Sequence, residues 1–206
     1  MPVRLGSLGW ALVALLSAGV ALYAFHYLLP SAVAPPGIAE NPFARPWLVV
    51  HASLAATAML IGPFQLVPWL RARRPRLHRW TGRAYVSACL VGGSAALLLA
   101  LGSTAGPIAT AGFGLLALVW MTATAQAWRM ALARRFDEHR RWMLRSFALT
   151  FAAVTLRLYL PIVFITGLPY IESYRAISFL CWVPNLLAME FYLRRRPLQT
   201  VEPARA

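Results

Sequence analysis

The sequence predicts an all-α fold, a bundle of six helices that cross a membrane with both termini on the cytoplasmic side. Composition is the first observation: 60% of the 206 residues are hydrophobic and 13% charged, and the mean hydropathy of +0.61 places the chain in the membrane class. The second is a series of six apolar runs, each near the roughly 20 residues that cross a ~30 Å hydrocarbon layer. The third is charge placement. All 20 basic residues are arginine, and seventeen cluster at Arg4, Arg71–Arg83, Arg129–Arg145 and Arg194–Arg205.

The first span, about Gly9–Leu29, follows Arg4 and holds small residues such as Ala18 and Ala21 that mimic a signal-peptide cleavage region. Its run exceeds the ~7–15 residues of a signal core, so an uncleaved helix is expected. Pro30, Pro35, Pro36, Pro42 and Pro46 then forbid helix continuation and predict a stiff extended loop across the outer face. In the second span, about Trp47–Leu70, steps of three and four residues collect His51, Ala55, Ala58, Gly62 and Gln65 on one face. Such a small and polar face meets other helices in preference to lipid.

The third and fourth spans cover about Ala84–Gly102 and Gly106–Trp128. The fifth, about Trp142–Ile165, places Ser146, Thr150, Ala153 and Arg157 on one face, and the sixth, about Ser173–Leu193, places Ser178, Cys181 and Asn185. Gly62-Pro63, Pro161 and Pro184 remove backbone donors and should bend their helices. Period-two alternation is absent, which excludes a barrel. One integral domain over residues 1–206 follows, with a disordered tail after Arg196.

The loops near 30–46, 103–105 and 166–172 carry only Arg45, while the alternate loops carry most of the rest. With Arg175 counted outside and Arg157 within a span, seventeen arginines lie inside and two outside. Arginine without lysine reads as the codon bias of a GC-rich bacterial genome, so the expected location is the bacterial inner membrane. A formal charge of +14 would suggest nucleic acid in a soluble protein. Here the charges flank spans, the lipid bilayer is the partner, and no nucleic acid is expected. Cys89 and Cys181 fall inside spans as packing residues.

The four histidines pair by depth. His26 and His51 lie near the outer ends of the first two spans, each about 5–6 Å deep at ~1.5 Å per residue. His78 and His139 lie just before the third and fifth, in related settings, His78-Arg79-Trp80-Thr81-Gly82-Arg83 and His139-Arg140-Arg141-Trp142-Met143-Leu144-Arg145. One reading is ligation of b-type haem by imidazoles at matched depth, with arginines facing the propionates and a transmembrane electron path between the pairs. A second is interfacial anchoring or structural bonding by His, Trp and Arg, and a third is a metal or proton role. Metal hydrolysis is not expected, since His-Glu-x-x-His and Cys-x-x-Cys are absent.

Arg157 lies about 22 Å along the fifth span from Trp142. A guanidinium there costs roughly 2.5–3.5 kcal/mol at the centre of a span, so it should face the bundle and find an acceptor. Glu172 is a candidate; the competing roles are a structural bond to backbone carbonyls or Glu172, a haem propionate near His51 and an anionic substrate. Gln65 and Gln126 are expected to bond between helices.

The motifs from His51 through Gly62-Pro63-Phe64-Gln65, Leu77–Tyr85, His139–Ser146 and Thr155–Tyr159 resemble the bacterial membrane family called domain of unknown function 2306, over about residues 47–161. The resemblance implies a multi-span inner-membrane protein carrying these His, Arg and Gln positions, and it implies no activity. In layout alone the chain is similar to the two-haem cytochrome b561 group. The sequence thus points to haem-linked electron transfer using His51, His78, His139 and His26. Its rivals are a small permease or lipid-handling protein in which Arg157 and Gln65 contact an anionic solute, and a non-catalytic subunit beside a membrane partner or a second copy.

Overall fold

The computed structural model describes residues 7–34, 38 and 40–195, all helix, turn and loop with no strand among them. Arg4, Pro35, Pro36 and the tail from Arg196 lie outside the described residues. The first span is α1 (Ser7–Ala24), continued by a 3₁₀ turn, Phe25–Leu28; α2 (Ala44–Gln65) is the second, and α3 (Pro68–Arg73) is a short segment after it. α4 (Pro75–Leu101) and α5 (Pro107–Leu132) are the third and fourth spans. α6 (Phe136–Thr150) with α7 (Ala152–Thr166), and α8 (Tyr170–Leu180) with α9 (Val183–Arg194), make up the fifth and sixth. Six helical stretches are long and apolar enough to cross a membrane.

Several boundaries differ from expectation. α2 stops at Gln65, two residues after Pro63, and α3 restarts on Pro68, a residue pre-set for a first helical turn. α4 begins nine residues before Ala84 and α6 six before Trp142, because arginine is a good helix former even where it is not apolar. His78 and His139 therefore sit on first helical turns and not in loops. The fifth span is interrupted at Phe151, ten residues before the proline expected to bend it; there the Val154 N–H turns to the Phe151 carbonyl at 2.9 Å. Pro184 does act as expected, at the start of α9 after a turn at Cys181–Trp182.

Packing is centred on α2, α4, α5 and α6; α1 lies against α2 and α7, α8 against α5 and α7, and α9 against α6. The buried residues are dominated by alanine with Ser17, Thr124, Ser146, Thr150 and Ser178, while Leu8, Leu15, Leu22, Phe164, Ile165 and Leu187 face outward. This inversion of a soluble protein's pattern is what lipid selects, since leucine gains nothing by leaving hydrocarbon and small residues let backbones approach. Ala58, Gly62, Gln65, Ser146, Thr150, Ser178 and Cys181 are buried, as their stepping predicts.

At the outer end, opposite the arginine-rich end, Asn41 clasps the loop to α4. Its Nδ2 donates to Leu99 O at 2.7 Å and its Oδ1 accepts the Phe43 N–H at 2.8 Å. Arg175 Nε reaches Ala105 O at 2.7 Å across Gly106, whose φ of +94° needs a residue without Cβ.

Candidate functional site

At the outer end the sequence supplies α2 with His51 seven residues after its start, and α4 opposite it with Gly92. The glycine lets the helices close, and His51 Nδ1–H donates to Gly92 O at 3.0 Å. A carbonyl only accepts, so this bond fixes the proton on Nδ1 and leaves Nε2 with a lone pair. His26, in the 3₁₀ turn, gives its Nδ1–H to Tyr23 O at 2.6 Å, and its ring lies 4.7 Å from Tyr23 and 4.0 Å from Tyr27.

Arg157 joins this cluster from α7. One Nη1–H donates to Ala153 O of its own helix at 3.1 Å, and the guanidinium lies 5.8 Å above the Tyr23 ring. Its charge acts on His51, Tyr27 and Tyr174. The candidate ion pair with Glu172 is not formed among the described residues; the carboxylate sits on the first turn of α8, and the guanidinium turns inward to α1. Tyr174 meanwhile stacks with Tyr170 at 5.6 Å and packs on Phe113 at 5.2 Å. Arg157 is thus a half-buried cation held by rings and one backbone carbonyl.

At the arginine-rich end His139 repeats the device of His51. Its Nδ1–H donates to Ala127 O of α5 at 2.8 Å, again leaving Nε2. His78 has a buried Nδ1 without a hydrogen-bond partner, and the charges of Arg71, Arg79 and His139 act on it. His78 and His139 thus act on one another at the arginine-rich end, about 21 Å from His51 on the α2 scale from His51 to Gln65. Gln65 donates Nε2–H to Thr81 Oγ1 at 2.6 Å, so it lies at the opposite end of α2 from the Arg157 site and cannot share a solute with it. Gln126, expected to bond between helices, has no side-chain partner among the described residues.

Between the two ends lies a polar network that sequence reading missed in part. Thr150 Oγ1 accepts Trp120 Nε1–H at 2.9 Å, lies 2.9 Å from Tyr85 Oη, and donates to Ser146 O at 2.9 Å. Because the single Thr150 hydrogen is committed to the carbonyl, Tyr85 is the donor to Thr150. Ser146 Oγ lies 3.1 Å from Tyr85 Oη and 2.7 Å from Thr124 Oγ1, closing the network across α4, α5 and α6. Interhelical hydrogen bonds in membranes average about 0.6 kcal/mol, but Thr150→Val orphans the buried Trp120 Nε1–H and leaves Tyr85 Oη with Ser146 Oγ at 3.1 Å. It is expected to destabilise by about 1–3 kcal/mol, read as thermal unfolding in detergent; Thr122→Val, which removes a bond to its own helix at an exposed position, should change little. Equal unfolding of the two variants would show that the network carries no stability.

Arg145, grouped by sequence with the inner histidines, is taken by Glu190: Nε–Oε1 is 2.5 Å and Nη2–Oε2 3.0 Å. The pair ends a groove of about 350 Å³ walled by Leu118, Val119, Leu149 and Leu186. A second concavity, about 480 Å³, is lined by Arg73, Arg74, Pro75, Arg76 and Leu77. Neither is lined by a histidine.

Fold and surface define a multi-pass helical membrane protein. Residues 48–193 match the family described as "Predicted membrane protein (DUF2306)", and the chain belongs to that family. No curated protein and no solved structure matches it. The match begins after α1 and runs through the sixth span, beyond the residues that carried the resemblance. It includes His51, His78, His139 and Arg157, and leaves His26 outside.

Proposed function

We propose that the protein is a single integral domain of the bacterial inner membrane, arginine-rich end and termini cytoplasmic, that moves electrons across the bilayer on b-type haem held at each end. His51 with His26 would hold the outer group and His139 with His78 the inner one. The observation that carries the reading is the matched setting of His51 and His139. Each commits Nδ1–H to a carbonyl of the neighbouring helix, the outer-shell bond that orients imidazoles bound to metals and raises their basicity.

The donor set fits an iron porphyrin. Neutral imidazoles with fixed tautomers suit the metal, the orphaned Nδ1 of His78 is a buried group in want of a partner, and Arg157, free of any carboxylate among the described residues, matches a propionate. Room beside the rings must come from side-chain movement, since both described cavities lie elsewhere. When bound, the group supplies reversible one-electron transfer. The chain's own part is to fix ring orientation, offer cations to carboxylates and exclude water with α1 and the tyrosine layer.

Protein purified in detergent from haem-replete cells is expected to show a Soret band. His51→Ala and His139→Ala should each remove part of it, and the double variant all of it; a colourless wild-type preparation sinks the proposal. A second reading rests on Arg157, whose guanidinium has four N–H groups left for an amphiphilic anion. Colourless protein that retains oleate, and loses it on Arg157→Gln, would favour that reading.

A further inference from the structure

From the corner formed by α3 and the first turns of α4 the reading above takes His78 as a ligand and leaves the exposed arginines unassigned. Arg71, Arg73, Arg74, Arg76, Arg79 and Arg83 are all exposed there. The two ion pairs among the described residues engage Arg135 with Glu138 and Arg145 with Glu190, so the other arginine cluster is partly neutralised and this one is not. No acidic residue occurs in the sequence between Glu40 and Asp137. Among the described residues these cations lie against rings of their own segment: Arg73 is 5.8 Å from the Trp69 ring and Arg83 5.0 Å from that of Trp80.

We infer that this corner is a docking site for the headgroups of anionic phospholipids. Arg73, Arg74 and Arg76 line one concavity of about 480 Å³ together with Pro75 and Leu77, so cationic side chains rise from a partly apolar floor. Like charges gathered on one short corner without an acid repel each other, and an intervening phosphate reverses the sign of that interaction. The apolar side chains interleaved with them decide the source of the phosphate. Trp69 is 56%, Leu77 50% and Trp80 68% exposed, a cost in bulk water that disappears where acyl chains meet headgroups. A soluble anion would leave these groups wet, whereas a lipid covers both rings and cations.

The test uses the full chain in nanodiscs of phosphatidylcholine and phosphatidylglycerol, with retained lipid counted by native mass spectrometry. Wild type should enrich phosphatidylglycerol, and Arg73→Gln/Arg74→Gln/Arg76→Gln should lower that enrichment about tenfold or more, since each arginine near an anionic surface adds to the attraction. Lysine at the same three positions should keep it. Arg129→Gln/Arg134→Gln/Arg195→Gln, which removes equal charge from the same end, should keep it too. A glutamine triple that enriches like wild type, or a control triple that falls equally, overturns the assignment. Two arms need no variant: added sodium chloride should strip the enrichment from wild type, and inorganic phosphate at matched ionic strength should not exceed it. Stronger displacement by phosphate would assign the concavity to a soluble anion and overturn the lipid site.

Discussion

Gly112→Val is expected to separate α5 from α8 and destabilise the bundle by about 3 kcal/mol, the upper end of overpacking costs. A Cβ at position 112 would stand 2.1 Å from Ser178 Oγ, 2.6 Å from Ser178 Cβ and 3.0 Å from Phe179 Cε2. Relief by rotation is denied because Cβ of Ser178 moves only with its backbone. That backbone is held: Ser178 Oγ–H donates to Arg175 O at 2.6 Å, and Trp182 Nε1–H donates to Ser178 O at 2.9 Å. Helix propensity works the other way, favouring most residues over glycine by up to ~1 kcal/mol, too little to compensate. Gly19→Ala isolates that term, since nothing lies within 4 Å of its added Cβ. Thermal unfolding in one detergent should show a large drop for Gly112→Val and a neutral or raised midpoint for Gly19→Ala. A Gly112→Val protein as stable as wild type would mean that the α5–α8 contact can open without loss.

Legibility in the sequence followed the strength of the physical signal. Hydrocarbon thickness dictates span length, so six spans could be counted; helix ends could not, because Pro75–Arg83 and Phe136–Arg141 are polar yet helical, and arginine does not stop a helix. Inward faces were readable where small and polar residues recur at helical spacing, as with Ser146 and Thr150. Tyr85 and Trp120 were not readable as their partners, since an aromatic residue in an apolar run gives no sign of which helix its polar tip will meet. The histidine pairs were legible as depths. Their ring settings were not, because Gly92 and Ala127 contribute backbone carbonyls, and any residue could have supplied those. Arg157 shows the limit most clearly: its position predicted an acceptor, carbonyl or Glu172, and could not tell that a carbonyl of its own helix would take the place, with the Tyr23 ring beside it.

Removing Arg145 should cost more than removing its partner Glu190, although the two form one ion pair. Arg145→Leu takes both hydrogen bonds from Glu190 at the end of a groove walled by leucines, and leaves a short-stemmed carboxylate with the charges of Arg194 and Arg141 acting on it. Glu190→Leu leaves a guanidinium that still lies 4.7 Å from the Trp142 ring and has a long apolar stem by which to reach the headgroup layer. Breaking a fully buried pair costs about 3–5 kcal/mol, and here the side chains are 18% and 32% exposed. About 2 kcal/mol is therefore expected for Arg145→Leu and about 1 kcal/mol for Glu190→Leu. The Arg145→Leu/Glu190→Leu double variant should recover most of the loss, because two leucines extend the groove wall and no charge remains to desolvate. A thermodynamic cycle over these proteins should give a coupling above about 1 kcal/mol. Additive losses, or a larger effect at Glu190 than at Arg145, would instead place the stabilising role of Arg145 in its stacking on Trp142 and not in the ion pair.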